Sequence, residues 1–246
     1  MRWSHRYLEA VRALDLDVTG DRRATQILDR LVPESDINDL RSIIEGRNVI
    51  VYGCGPSLEN DVNKLWGAGL CGRCVNVAAD GAVKALMTYG IVPHINVTDL
   101  DGDIEAIVAA NGYGCATVVH AHAGNIRELV TVVPRLGGRI YATTQSEPTG
   151  KVYNFGGYSD GDRAVYLAEH YKPKHIILAG MDFGSVIGVF SGRYDPIRKP
   201  RRLRHDKLMI EELAARSRVT MYNVTSSGEN IRRVHHIAVD RLAHAV

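Results

Sequence analysis

From Asn48 onward, short β-branched apolar runs alternate with longer stretches of helical periodicity, and nothing else in the chain constrains its fold as tightly. Strands are expected at residues 49–52, 75–78, 94–97, 117–120, 139–142, 175–179 and 219–222. Helices are expected between most of them, at 58–66, 82–89, 104–110, 126–133, 163–170 and 206–216. Val49-Ile50-Val51-Tyr52 and Ile176-Ile177-Leu178-Ala179 are apolar on both faces, as strands covered from both sides must be. Residues 47–222 should therefore form an α/β domain, doubly wound about a mainly parallel, Rossmann-like sheet. The 246 residues suffice for one such domain plus a small addition.

The addition is expected ahead of the sheet. Trp3, Tyr7, Leu8, Val11 and Leu14 recur at helical spacing, residues 24–31 form a second helical stretch before Pro33, and 37–44 a third before Gly46. Residues 1–46 thus read as an N-terminal helical segment that packs without chemistry of its own. Residues 223–246 read as a tail packed on the domain.

A formal net charge of +2 gives no case for a general nucleic-acid binder. No run of about 18 apolar residues is present, so no membrane span is expected. The amphipathic, acid-bearing N-terminus is unlike a signal peptide, which points to a cytoplasmic protein. Cys71 and Cys74 make a lone C-x-x-C without a second ligand pair, so it reads as a reduced loop before a strand.

In an open parallel sheet, ligands bind beyond the carboxyl ends of the strands, and the unusual clusters here follow strands. Asp99, Asp101 and Asp103 come after the third. Crowded carboxylates repel unless a cation sits among them, and oxygen-only ligands suit Mg²⁺. Asp103 is the candidate cap of the next helix, which leaves Asp99 and Asp101 for a metal. Gly53-Cys54-Gly55-Pro56-Ser57 is a turn into a helix, where a phosphate could approach the backbone or Ser57 could simply cap. His120 and His122 share a strand face, suited to substrate or phosphate contact or to packing. Asp160 and Asp162 can cap the helix after Gly156-Gly157-Tyr158-Ser159, whereas Arg163 in its first turn opposes the dipole and could grip an anion. Arg193, Arg198, Lys199, Arg201, Arg202, Arg204 and Lys207 suggest a mobile lid that closes over a polyphosphate.

The order of these motifs resembles the archaeal 6-hydroxymethyl-7,8-dihydropterin diphosphokinase family, which has a thiamin diphosphokinase-like fold. The resemblance runs from about residue 48 to about 216. It is carried by Tyr52-Gly53-Cys54-Gly55-Pro56-Ser57-Leu58, Ala79-Asp80-Gly81-Ala82, Gly90-Ile91-Val92-Pro93-His94, Thr98-Asp99-Leu100-Asp101-Gly102-Asp103 and His120-Ala121-His122. Gly156-Gly157-Tyr158-Ser159-Asp160-Gly161-Asp162-Arg163-Ala164, Gly180-Met181-Asp182-Phe183-Gly184 and a helix start at Lys207-Leu208 complete it. The resemblance implies a diphosphotransferase of pterin biosynthesis that uses Mg²⁺ and ATP, takes a small pterin alcohol and releases AMP. It implies Asp80, Asp99 and Asp101 as catalytic metal ligands. Gly53, Gly55, Pro56, Ser57, His120, His122, Asn125, Asp162, Arg163, Asp182, Arg204 and Lys207 would then contact the nucleotide. A homodimer is the assembly it suggests. The chain departs from the family in Gly124, where an acid is usual, and Asn125 is the candidate to compensate. Thiamin diphosphokinase and a nucleotide-sugar-binding, glycan-modifying domain are the alternatives. Only 24 residues follow Tyr222, too few for the β-sandwich that thiamin diphosphokinases carry there.

Overall fold

The computed structural model describes residues 3–192 and 194–246, without the side chains of residues 3–6, 8 and 13. Arg193 of the basic stretch, and the side chains of Trp3 and Leu8 in the N-terminal pattern, lie outside the described residues.

Nine strands form one sheet in the order β6-β5-β4-β3-β2-β1-β7-β8-β9. They are β1 (Asn48–Tyr52), β2 (Val75–Ala79), β3 (Ile95–Thr98), β4 (Ala116–Ala121), β5 (Ile140–Thr144), β6 (Val152–Tyr153), β7 (His175–Ala179), β8 (Thr220–Asn223) and β9 (His235–His236). Each neighbouring pair is parallel. The chain steps outward from β1 to β6, then returns to the other side of β1 with β7. The winding therefore reverses between β1 and β7, and that seam is the switch point of the sheet.

Side chains alternate across the pleat, so β1 feeds two cores at once. Ile50 and Tyr52 pack into one layer with α2 (Val18–Leu31), α4 (Leu58–Gly67), α5 (Leu70–Arg73), α6 (Ala82–Thr88), α7 (Ile104–Gly112), α8 (Ile126–Val132) and α11 (Val239–Ala245). Val49 and Val51 pack into the other, with α1 (Trp3–Leu14), α3 (Asp39–Ile44), α9 (Asp160–His170) and α10 (Lys199–Arg216). Val49, Ile50, Val51 and Tyr52 are all fully buried. Each contributes about 1.5–3 kcal/mol by leaving water, so the central strand is the firmest part of the scaffold.

Several expectations are corrected. Helix α9 begins at Asp160 rather than 163, because Ser159 and Asp162 close a reciprocal capping box one turn earlier. Helix α10 begins at Lys199, not at 206 or Lys207, with Pro200 in the first turn where its missing N–H costs nothing. Cys71 lies in α5 and Cys74 is its C-cap; both are buried, free thiols rather than parts of a loop. The two-residue strands β6 and β9 were not expected. Among the described residues no helix is long and apolar enough to cross a membrane.

Candidate functional site

A cavity of about 630 Å³ opens over the seam between β1 and β7, lined by the loops after β1, β2, β3, β4 and β7 and by the start of α9. Three of the chain's positive-φ side-chain residues, Asp80 (43°), Leu100 (68°) and Phe183 (52°), sit at these strand ends. Such backbone is held only where surrounding contacts over-determine it.

Asp80, Asp99 and Asp160 each bring one carboxylate oxygen within 4.8 Å of the others. Asp80 follows β2 and accepts from Thr98 Oγ1 at 2.6 Å. Gly102 must be glycine because a Cβ there would run into the Asp80 carboxylate. Asp99 follows β3; its Oδ2 faces His122 Nε2 at 3.1 Å, while its Oδ1 is buried without a hydrogen-bond partner. Burial pushes Asp80 up to about 7, reinforced by the charges of Asp160 and Asp99. Burial likewise pushes Asp101 up to about 8, reinforced by Asp99 and Asp80, and holds Asp160 well above the carboxylate range. Asp99 goes the other way: burial would raise it, but the hydrogen bond from His122 and the charges of Arg163 and Arg202 hold it below the ordinary range. Carboxylates crowded to this degree stay protonated or take a cation. An oxygen-only set with an orphaned buried oxygen fits a hard divalent ion such as Mg²⁺.

The third member of the trio differs from expectation. Asp160 stands where Asp101 was expected, and Asp101 lies beside the trio with Gly192 against its carboxylate. Asp160 was missed because an acid in a first helical turn reads as a dipole or cap residue. Asp103 does cap α7, accepting from Ala106 N at 3.0 Å, as its position predicts.

Four expected ligand contacts are spent inside the protein. Arg163 is 3% exposed and donates to Asp160 Oδ1 (3.0 Å), Gln145 Oε1 (3.2 Å) and Tyr158 O (2.7 Å), so it grips the protein's own acid rather than a free anion. Asp162 accepts from the N–H groups of Tyr158 and Ser159. Asn125 donates to Asp99 O and His120 O, both at 2.7 Å, and its Oδ1 accepts from His122 N at 3.0 Å, so it braces the strand end and its oxygen is already engaged rather than free to replace an acid at Gly124. His120 is 2% exposed, held neutral by burial, and bonded to Thr143 beneath the site. His122 is placed at the cavity. Its Nδ1 accepts from Gly124 N at 3.0 Å, so the Nε2 proton points at Asp99.

The glycine turn is also rebuilt. A Cβ on Gly53 would come 2.7 Å from Gly180 O, and one on Gly55 would strike the Asp182 carboxylate. Those glycines exist to let the β1 and β7 loops cross. Asp182 accepts from Ser57 Oγ at 2.8 Å and from Ser57 N at 3.3 Å. The N-terminus of α4, expected to receive a phosphate, is thus filled by the protein's own carboxylate. Gly53, Gly55 and Pro56 remain in the cavity wall.

The basic stretch divides. Arg198, Lys199, Arg201 and Arg202 line the cavity, and the charges of Lys199 and Arg202 reach Asp101 and Asp99 respectively. Arg204 and Lys207 are absent from the cavity wall; Arg204 is exposed and Lys207 pairs with Glu229 at 2.7 Å. On α10 position 204 comes two residues after 202 and so faces away from it. The segment lying across the rim is instead 188–192: Gly188 sits against Cys54 O, Phe190 O against Gly81, and Gly192 against Asp101.

Fold and site define a class: an open parallel α/β domain whose switch point joins an oxygen-only acidic cluster to a cationic wall. The chain belongs to the 6-hydroxymethylpterin diphosphokinase MptE-like family, whose model matches residues 23–188. It is 40% identical over 193 residues to a 6-hydroxymethyl-7,8-dihydropterin pyrophosphokinase of Pyrococcus furiosus, covering 77% of this chain and 80% of that protein. Proteins of the same description in Methanocaldococcus jannaschii and Methanothermobacter thermautotrophicus are 37% and 38% identical, covering 77% and 81% of this chain and 82% and 87% of theirs. Among solved structures, the MAf glycosyltransferase of Magnetospirillum magneticum AMB-1 superposes with a TM-score of 0.56 at 15% identity. That match covers 91% of this chain and 39% of the other, and it speaks to the fold alone.

Proposed function

We propose that this protein transfers the diphosphate group of ATP to the hydroxymethyl oxygen of 6-hydroxymethyl-7,8-dihydropterin, with Mg²⁺, and releases AMP. Family membership supports the reaction class. The observation that carries the reading is the trio Asp80, Asp99 and Asp160, with Asp101 beside it, facing Lys199 and Arg202 across one cavity. In the reaction the alcohol oxygen loses its proton to solvent and forms a bond to the β-phosphorus while the bond from that phosphorus to the α,β-bridging oxygen breaks. AMP carries the bridging oxygen away.

Such transfers depend on placement and charge neutralisation more than on covalent help from the protein. The carboxylates would hold Mg²⁺, which when bound neutralises phosphate oxygens. Lys199, Arg201 and Arg202 supply positive charge along the opposing wall, where arginine can meet phosphate oxygens two at a time. The 188–192 segment across the rim restricts water at the seam.

The test incubates the purified protein with Mg·ATP and the pterin alcohol and resolves the nucleotide product. AMP formed in step with the pterin diphosphate supports the reading; ADP, or no turnover, overturns it. Thiamin and CMP- or UDP-sugars in parallel reactions give no product on this account. Asp80→Asn, Asp99→Asn and Asp160→Asn each lower kcat by orders of magnitude with the fold retained.

A further inference from the structure

The N-terminal helical segment, expected only to pack, lines the cavity with residues 14–17 and with Asp21, the buried one among them. Asp21, in the first turn of α2, is 1% exposed. It lies ahead of residues 23–188, the part matched by the family. Its Oδ2 accepts from Tyr7 Oη and from Gln145 Nε2, both at 2.8 Å, and its Oδ1 accepts from Ala123 N at 2.9 Å.

Each of the last two contacts leads to a different member of the acidic trio. Gln145, just beyond β5, accepts from Arg163 Nη2 at 3.2 Å, and Arg163 Nη1 donates to Asp160 Oδ1 at 3.0 Å. Ala123 follows His122 directly, and His122 Nε2 faces Asp99 Oδ2 at 3.1 Å. Gly20 permits the close approach, since a Cβ there would collide with Ala123 and Asp17. Asp99 follows β3 and Asp160 opens α9, elements far apart in sequence, and Asp21 touches a support of each.

We infer that Asp21 is a positioning residue that registers Asp99 and Asp160 for a divalent cation, through His122 on one side and Gln145–Arg163 on the other. The inference rests on the metal reading above. Groups that orient ligands from behind typically change metal affinity by about 10–100-fold when altered.

The chemistry of the relay supplies its own rescue. Asp21→Asn sets an amide donor against the Gln145 amide donor and breaks the link while keeping size. Combining it with Gln145→Glu turns that bond round: the new amide donates to the new carboxylate, which still accepts from Arg163. Tyr7 Oη can then accept where it donated before. Thr25→Ala is the control, because Thr25 Oγ1 meets the Asp21 backbone carbonyl at 2.8 Å and docks α2 on Thr144 and Ser146, at 2.7 and 3.2 Å, but bonds to none of the relay's side chains.

The experiment is Mn²⁺ binding to the full chain without any substrate, followed by electron paramagnetic resonance, with melting temperature measured alongside. The inference expects roughly 10-fold weaker Mn²⁺ binding for Asp21→Asn, recovery in the double variant, and unchanged binding with a lowered Tm for Thr25→Ala. Asp21→Asn binding Mn²⁺ as the wild type does, or Thr25→Ala weakening it equally, overturns the relay and leaves the metal site standing. A wild-type protein that binds no Mn²⁺ overturns both.

Discussion

Asp80 and Asp101 show how burial and like charge set the character of the site. Each carboxyl ionises near 3.8 in the unfolded chain and near 7 and 8 respectively in the fold. Between those values the folded chain keeps protons that the unfolded chain has released. The stability of the metal-free protein therefore falls as pH rises from roughly 4 to roughly 8. A cation removes the cause, so saturating Mg²⁺ should raise Tm more at about pH 8 than at about pH 5. Melting curves at both values check this; a Mg²⁺ shift of equal size at the two would contradict it. Asp99 behaves differently because His122 donates to it, so it is the one carboxylate of the trio kept ready for a cation. Removing that donor by His122→Phe should weaken Mn²⁺ binding about 10-fold or more, read in the same titration.

At the scale of elements, the 188–192 segment lies across the rim ahead of the cationic start of α10. Its glycines seat it on the β1, β2 and β3 loops, and a Cβ on Gly192 would strike the Asp101 carboxylate. Gly192→Ala should therefore raise the KM for Mg·ATP several-fold and leave Tm within a degree or two, since the loop buries little apolar surface. A large fall in Tm with unchanged KM would show that the loop serves the fold instead. The strands were legible in the sequence because each is a short apolar run with helical stretches on either side. The helix starts at Asp160 and Lys199 were hidden. Gly161 masks the first, and Pro200 among arginines masks the second, although a proline is well suited to a first turn. Strands β6 and β9 were invisible because two residues carry no periodicity. Asp99 and the neighbourhood of Asp101 could be read from acids clustered at a strand end, whereas Asp80 entered through the family resemblance. Asp160 could not, since the same residue satisfies a helix dipole. Nor could the internal use of Arg163, Asn125 and Asp182, because partners distant in sequence decide it.

For the whole molecule, the winding reverses between β1 and β7, and that reversal assembles the site. Loops from five strands and the start of α9 converge there, while α2 closes one side through Asp21. Ligand binding should therefore be felt across the rim and not through the back of the sheet. The α,β-methylene analogue of ATP with Mg²⁺ should slow amide exchange in residues 186–203 and leave α5 and α11 unchanged. Uniform slowing would indicate global stabilisation without a localised site. The most direct measurement is a Mn²⁺-soaked crystal examined by anomalous scattering. The account predicts one strong peak among the carboxylates of Asp80, Asp99 and Asp160; no peak there, or a peak only elsewhere, would contradict it.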